Sequence, residues 1–150
     1  MKLNFALLLL IVLFSFSLLK ANTLEKNQSI YLIRHALAPG NGDPINFDLL
    51  DCSTQRNLND VGILQSKEIG QFFSKNNIKI DDVYSSQWCR CKDTASYAFN
   101  NFKELNFLNS FYSYPFNLNK DEQMRDLRNY ILDLEYKNNI VFVTHYVVIA

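Results

Sequence analysis

The sequence predicts an α/β fold, a three-layer α/β/α sandwich with a mainly parallel sheet. Three observations predict it. Apolar, β-branched segments alternate with helical patterns from residue 29 onward. Two of those segments, "YLI" and "IVFV", are uninterrupted apolar runs, as expected of strands buried on both faces. Arg-His and Thr-His follow them directly, so polar groups sit where the strands end. In such sheets ligands bind beyond the carboxyl ends of the strands.

The elements follow in order. Residues 1–21, "MKLNFALLLLIVLFSFSLLKA", carry Lys2, then an apolar run from Leu3 to Leu19 broken by Asn4, Ser15 and Ser17. This reads as a secretory signal peptide ending near Ala21. The alternative is an uncleaved membrane anchor; the run is near the lower limit of roughly 17 residues for a span. Either way the domain, residues 22–150, is expected to be exported, to the periplasm or outside the cell. "SIYLIR" (Ser29 to Arg34) reads as a buried strand. A loop of about 23 residues, rich in Gly, Pro, Asn and Asp, follows; loops of that length in a compact domain are usually functional. "NDVGILQSKEIGQFFSKNN" reads as a helix capped by Asn59, with Leu64, Ile69, Phe72 and Phe73 on its apolar face.

"IDDVYSS" is a short strand ending at Ser85 or Ser86. "WCRCKDTASYAFNNF" is a helix with Trp88, Ala95, Ala98, Phe99 and Phe102 inward, and "LNFL" is a weak strand. "NKDEQMRDLRNYILDLEYKNN" is the clearest helix. Asn119 with Glu122 resembles a capping box, and Met124, Leu127, Ile131 and Leu134 recur at spacings of three and four. "NIVFVTHYVVIA" gives a last strand, Ile140 to Val143, running into Thr144 and His145.

Composition narrows the function. The chain of 150 residues is 48% hydrophobic, with 12 Phe and 8 Tyr, enough for one well-packed domain. Formal net charge is zero; without Lys2 and Lys20 there remain 13 basic and 15 acidic residues, a net of −2. No Lys/Arg cluster appears, which argues against nucleic acid as a partner. Of the cysteines, Cys52 can bridge either Cys89 or Cys91 in an exported protein, or all three are buried and reduced. No Cys/His spacing of a zinc site occurs, so no metal and no cofactor is expected.

The chain contains two histidines, and each follows an apolar strand: His35 after "YLIR" and His145 after "VFVT". Neighbouring strands would bring both imidazoles to one sheet edge. Arg90 falls in the first turns of the helix after the next strand, where backbone N–H groups and the positive dipole end lie. Arg34, Arg90 and two imidazoles at one edge make an anion site, because the planar guanidinium fork donates two hydrogen bonds at once.

Four segments in order resemble the histidine phosphatase superfamily, the phosphoglycerate-mutase-like fold, in an exported bacterial branch. "LIRHA" (Leu32 to Ala36) is similar to its Arg-His-Gly signature. "RNLNDVGILQS" (Arg56 to Ser66), "YSSQWCRCKDTA" (Tyr84 to Ala95) and "VFVTHYVVIA" are similar to its later segments. The resemblance implies a metal-independent phosphatase acting on a small phosphorylated substrate through a phosphohistidine on His35. Arg34, Arg90 and His145 would then hold the phosphoryl oxygens. The family's general acid has no counterpart: Ser110 and Tyr146 stand where its branches carry Glu or Asp. Asp43, Asp48 and Glu104 are the available carboxylates. A site without a strong acid favours good leaving groups, such as phosphohistidine, phosphoanhydrides or aryl phosphates. The family also continues past the second histidine through a helix and strand, so this chain reads as truncated. The competing reading is a non-catalytic module that binds a phosphate ligand or a partner. A mutase is disfavoured by the short segment after Arg90 and by the N-terminal export signal.

Overall fold

The computed structural model describes residues 29–134 and 139–150. The segment read as a signal peptide or anchor, 1–21, lies outside them. No helix among the described residues is long and apolar enough to cross a membrane.

Strands β1 (Ile30–Arg34), β2 (Asp82–Ser85), β3 (Lys103–Glu104) and β4 (Ile140–Thr144) alternate with helices α1 (Asp60–Lys75), α2 (Cys89–Phe99) and α3 (Lys120–Asp133). A short helix α4 (Tyr146–Ile149) follows β4. The sheet order is β1-β4-β2-β3, and every pairing is parallel. Thus β4 lies between β1 and β2, and all five of its residues are buried.

The side-chain alternation of β4 divides the core in two. Ile140 and Phe142 pack with Tyr84, Leu108, Phe111 and Leu127 on the α3 side. Val141 and Val143 pack with Phe73, Trp88, Cys91 and Ala95 on the α1–α2 side. Helices on both faces make the three-layer sandwich that the alternation predicts. Each fully buried side chain of this kind contributes about 1.5–3 kcal/mol, so β4 anchors both layers.

Three local expectations are corrected. The buried face of α1 holds Gly62, Ser66 and Phe73, whereas Leu64 and Phe72 are each 57% exposed. The reason is close approach. A Cβ on Gly70 would lie 2.2 Å from the Ala98 carbonyl oxygen of α2, and one on Gly62 would lie 2.1 Å from that of Leu37. Small residues at every fourth position let α1 sit on its neighbours, which turns the bulkier Leu64 outward. "LNFL" is not a strand. The ladder is Lys103–Glu104 against Tyr84–Ser85, and Asn106–Leu108 then form a 3-10 turn that buries Leu108. Asn119 makes no side-chain cap, because a 3-10 turn, Phe116–Asn119, runs straight into α3. Asn59 does cap α1: its Oδ1 accepts from the Gly62 N–H at 2.9 Å.

In an open helix position Gly→Ala stabilises by up to about 1 kcal/mol. At Gly70 the approach to backbone reverses the sign. Gly70→Ala is expected to lower the unfolding free energy by about 1–3 kcal/mol, while Leu64→Ala stays within about 0.5 kcal/mol of the parent, as at other exposed positions. Urea denaturation of the two variants checks both.

Candidate active site

Parallel pairing of β1 with β4 sets Arg34 opposite Thr144, so His35 and His145 are the first residues past equivalent strand ends. The His35 N–H extends the ladder to the Thr144 carbonyl at 2.9 Å. The two imidazole centroids are 5.4 Å apart. On the other side of β4, the Ser86 N–H donates to the Val143 carbonyl at 2.9 Å, which aims the start of α2 at the same edge. The predicted residues Arg34, His35, Arg90 and His145 therefore meet around one cavity of about 410 Å³. Asp43, Arg56, Trp88, Ser110, Tyr112 and Tyr146 also line it.

His35 is buried, and its Nδ1 lies 2.7 Å from the Ala36 carbonyl oxygen. A carbonyl only accepts, so Nδ1 carries the proton and the Nε2 lone pair is left for chemistry. The chain is braced behind it: the Ala36 N–H donates to Thr94 Oγ1 (2.9 Å), whose hydroxyl donates to the Arg90 carbonyl (2.7 Å). Burial lowers the His35 pKa to about 4, aided by Arg90, Arg34 and Arg56 and opposed by the bond to Ala36. His145 is also held neutral, its pKa well below the ordinary value through burial and then Arg90 and His35. Its Nε2 meets the Ser86 hydroxyl at 2.9 Å, and the Trp88 ring packs edge-on against it at 5.3 Å. Cys91 is buried 3.4 Å from the same nitrogen. Burial pushes that thiol up to about 12, so it stays protonated.

The arginines differ. Arg34 is exposed, and its side chain has no hydrogen-bond or ion-pair partner among the described residues. Arg90 is 3% exposed, with Nη1 and Nη2 at 2.7 and 3.1 Å from the two oxygens of Asp43. Arg56, which also lines the cavity, donates from Nε to the Gly42 carbonyl at 2.8 Å and from Nη1 to the Ala38 carbonyl, stapling the loop.

Of the three carboxylates available as general acid, Asp43 alone lines the cavity. Burial raises its pKa, but bonds from Arg90 and the Arg56 N–H outweigh that and hold it ionised. Asp48 organises its own loop, its Oδ1 accepting from the Leu50 N–H at 2.9 Å. Glu104 is on β3, facing Lys92 at 3.6 Å.

Among the described residues no group of three or more His, Cys, Asp or Glu side chains is placed to hold a metal ion. The disulfide joins Cys52 to Cys89, tying the long loop to the first residue of α2, one position before Arg90. Gln55 does the same by hydrogen bonds. Its Oε1 accepts from the Cys89 N–H at 3.0 Å, and its Nε2 donates to the Asp48 and Leu49 carbonyls. Gln55 and Ser86 were not foreseen as site residues; their only signal is position, each inside a segment that carries a cavity arginine or precedes one.

Fold and site together define an α/β protein with a histidine–arginine anion pocket at the carboxyl edge of its sheet. The family model of the histidine phosphatase superfamily (branch 1) matches residues 30–107, just over half of the chain, and the chain belongs to that superfamily. No curated protein matches it. Solved structures share its fold. The phosphatase named alpha-ribazole phosphatase from Shigella flexneri is 15% identical with a TM-score of 0.57, over 80% of this chain and 75% of that one. A phosphoserine phosphatase variant from Entamoeba histolytica, in complex with phosphoserine, is 19% identical with a TM-score of 0.55, over 80% and 75%. The putative phosphohistidine phosphatase SixA from Agrobacterium tumefaciens is 20% identical with a TM-score of 0.55, over 78% and 68%.

The depressed histidine pKa values bear on stability. In the unfolded chain a histidine takes up its proton near pH 6.5; folded His35 does so only near 4. Folding therefore loses stability as pH falls through that window, by up to about 1.4 kcal/mol per pH unit for each such histidine. Urea midpoints are expected to drop between pH 6.5 and 4.5, and His35→Gln to flatten the slope.

Proposed function

We propose that this protein is an exported, metal-independent phosphatase that works through a phosphohistidine on His35. One observation carries the reading: a neutral imidazole, its Nδ1–H held by the Ala36 carbonyl, faces a cavity lined by three arginines. The phosphoryl group sits between Arg34, Arg90 and His145. The Nε2 lone pair attacks phosphorus and the bond to the leaving oxygen breaks. Water then attacks phosphorus, the P–N bond breaks, and inorganic phosphate leaves with His35 neutral again. The guanidinium groups stabilise charge on the phosphoryl oxygens throughout.

The substrate is a small phosphorylated molecule. The phosphoserine held by the Entamoeba phosphatase supports this class for a related fold. Because Asp43 is held ionised by Arg90, the reaction favours leaving groups that need little protonation, such as aryl phosphates, phosphoanhydrides or phosphohistidine. Export is supported by the apolar stretch within residues 1–21 and by the Cys52–Cys89 bridge, which belongs to an oxidising compartment. The periplasm or the cell exterior is the proposed location, with membrane contact only through residues 1–21 if that segment is uncleaved.

Among the described residues the cavity holds no free carboxylic acid, which favours a second reading, a module that binds a phosphate ligand without turning it over. Hydrolysis of p-nitrophenyl phosphate by the full chain, with and without chelator, separates the two. Expected are chelator-insensitive turnover and a loss of at least a thousandfold in His35→Ala. The acid limb of kcat/KM, corrected for substrate ionisation, should fall near pH 4 rather than 6.5. A folded chain that binds phosphate without turnover would favour the module.

A further inference from the structure

We propose that Asp43 is a positioning residue, which fixes the edge that Arg90 presents to a bound phosphoryl group. This rests on the phosphatase reading. Asp43 is held at four points. Its Oδ1 accepts from Arg90 Nη1 (2.7 Å) and the Arg56 N–H (3.0 Å); its Oδ2 accepts from Arg90 Nη2 (3.1 Å) and the Trp88 indole N–H (3.0 Å). Gly40 and Gly42, at φ +90° and +66°, give the loop the left-handed turns that carry the carboxylate inward. A carboxylate with every acceptor site filled is a fixture. Displacing it would orphan the Arg56 N–H and the Trp88 indole N–H along with the guanidinium.

The consequence lies in the shape of the guanidinium. Its five N–H bonds form a planar fork with an end edge, Nη1 and Nη2, and a side edge, Nε and Nη2. Asp43 occupies the end edge, and the remaining Nη1 hydrogen points to the Arg56 carbonyl at 3.3 Å. The side edge is what remains. Among the described residues the buried Nε has no partner, and Nη2 has no acceptor besides Asp43. A buried unpaired donor on a side chain that lines the cavity lacks an acceptor that an entering phosphoryl group supplies. Two parallel bonds to two phosphoryl oxygens fit that edge.

Charge balance points the same way. Among the described lining residues, three arginines against Asp43, with both histidines neutral, give a net charge of two positive units, matching a phosphomonoester dianion. Asp43 thus sets both the direction of Arg90 and the charge it works in. It does not donate a proton.

The test is a double-mutant cycle in the full chain: parent, Asp43→Asn, Arg90→Lys and the pair, each checked for folding by thermal unfolding and for the intact disulfide. The reaction is p-nitrophenyl phosphate hydrolysis. Asp43→Asn is expected to lower kcat 10- to 100-fold with KM changed less than threefold, yet to cost less than twofold on the Arg90→Lys background. Asp43→Glu, which keeps the charge, should recover part of kcat. A kcat within twofold of the parent, a rise in kcat/KM, or equal losses on both backgrounds would overturn the proposal. If the parent itself does not turn over, the phosphatase reading fails, and tungstate binding read through the same cycle decides positioning alone. Non-additivity of fivefold or more supports it, and additivity overturns it.

Discussion

A guanidinium that is 3% exposed must have its charge met, or burying it would cost several kcal/mol. Arg90 is in that position, and much of the loop architecture around it follows. Asp43 has to reach it, so the loop bends at Gly40 and Gly42. Trp88 supplies an indole N–H to the same carboxylate, and its ring walls off both His145 and the core beneath. Arg56 holds the loop carbonyls from outside. The disulfide and Gln55 tie the far end of the loop to the first turn of α2. A segment of more than twenty residues with one 3-10 turn is thereby held in place by a few polar ties and one covalent bond.

The fold was legible because its strands are apolar and its helices periodic, and both patterns come from burial. The residues at strand ends were legible for the same reason: Arg34, His35 and His145 break apolar runs, and parallel pairing aligns the breaks. What stayed hidden depends on distances between segments far apart in the chain. Asp43 and Arg90 are 47 residues apart, and nothing in "GNGDP" marks that aspartate as a partner for a helix. Cys52 could not be assigned between Cys89 and Cys91, since two residues along a helix change a thiol's direction while leaving its sequence context alike. The outward turn of Leu64 was hidden too. Hydrophobic spacing cannot register that glycines at 62 and 70 let backbone meet backbone.

Both imidazoles gain their neutral form at the expense of acid stability. Desolvation and neighbouring arginines disfavour the imidazolium, so the same contacts that keep a lone pair on His35 Nε2 make the folded state a poor proton acceptor. In the proposed phosphatase, a nucleophile built this way needs no separate base to prepare it. Among the described residues the cavity holds no ready acid, since Asp43 is locked to a guanidinium.

The sheet order also dictates when the pocket can exist. β4 lies between β1 and β2, yet it is the latest of the four strands in the chain, with Ile140 paired to Ile30 across 110 residues and to Asp82 across 58. Until β4 inserts, β1 and β2 have no neighbour in common, His35 has no carbonyl at Thr144 to receive its N–H, and both core layers lack their shared wall. Until residue 140 is made, β1 and β2 are thus the two sides of an open slot with apolar lips. Such a slot slows folding, because loop closure comes before the contacts that reward it. It also leaves unpaired strand edges exposed to other chains. Assembly of the anion pocket and closure of the sheet are one event, so a partly made chain carries no half-formed site.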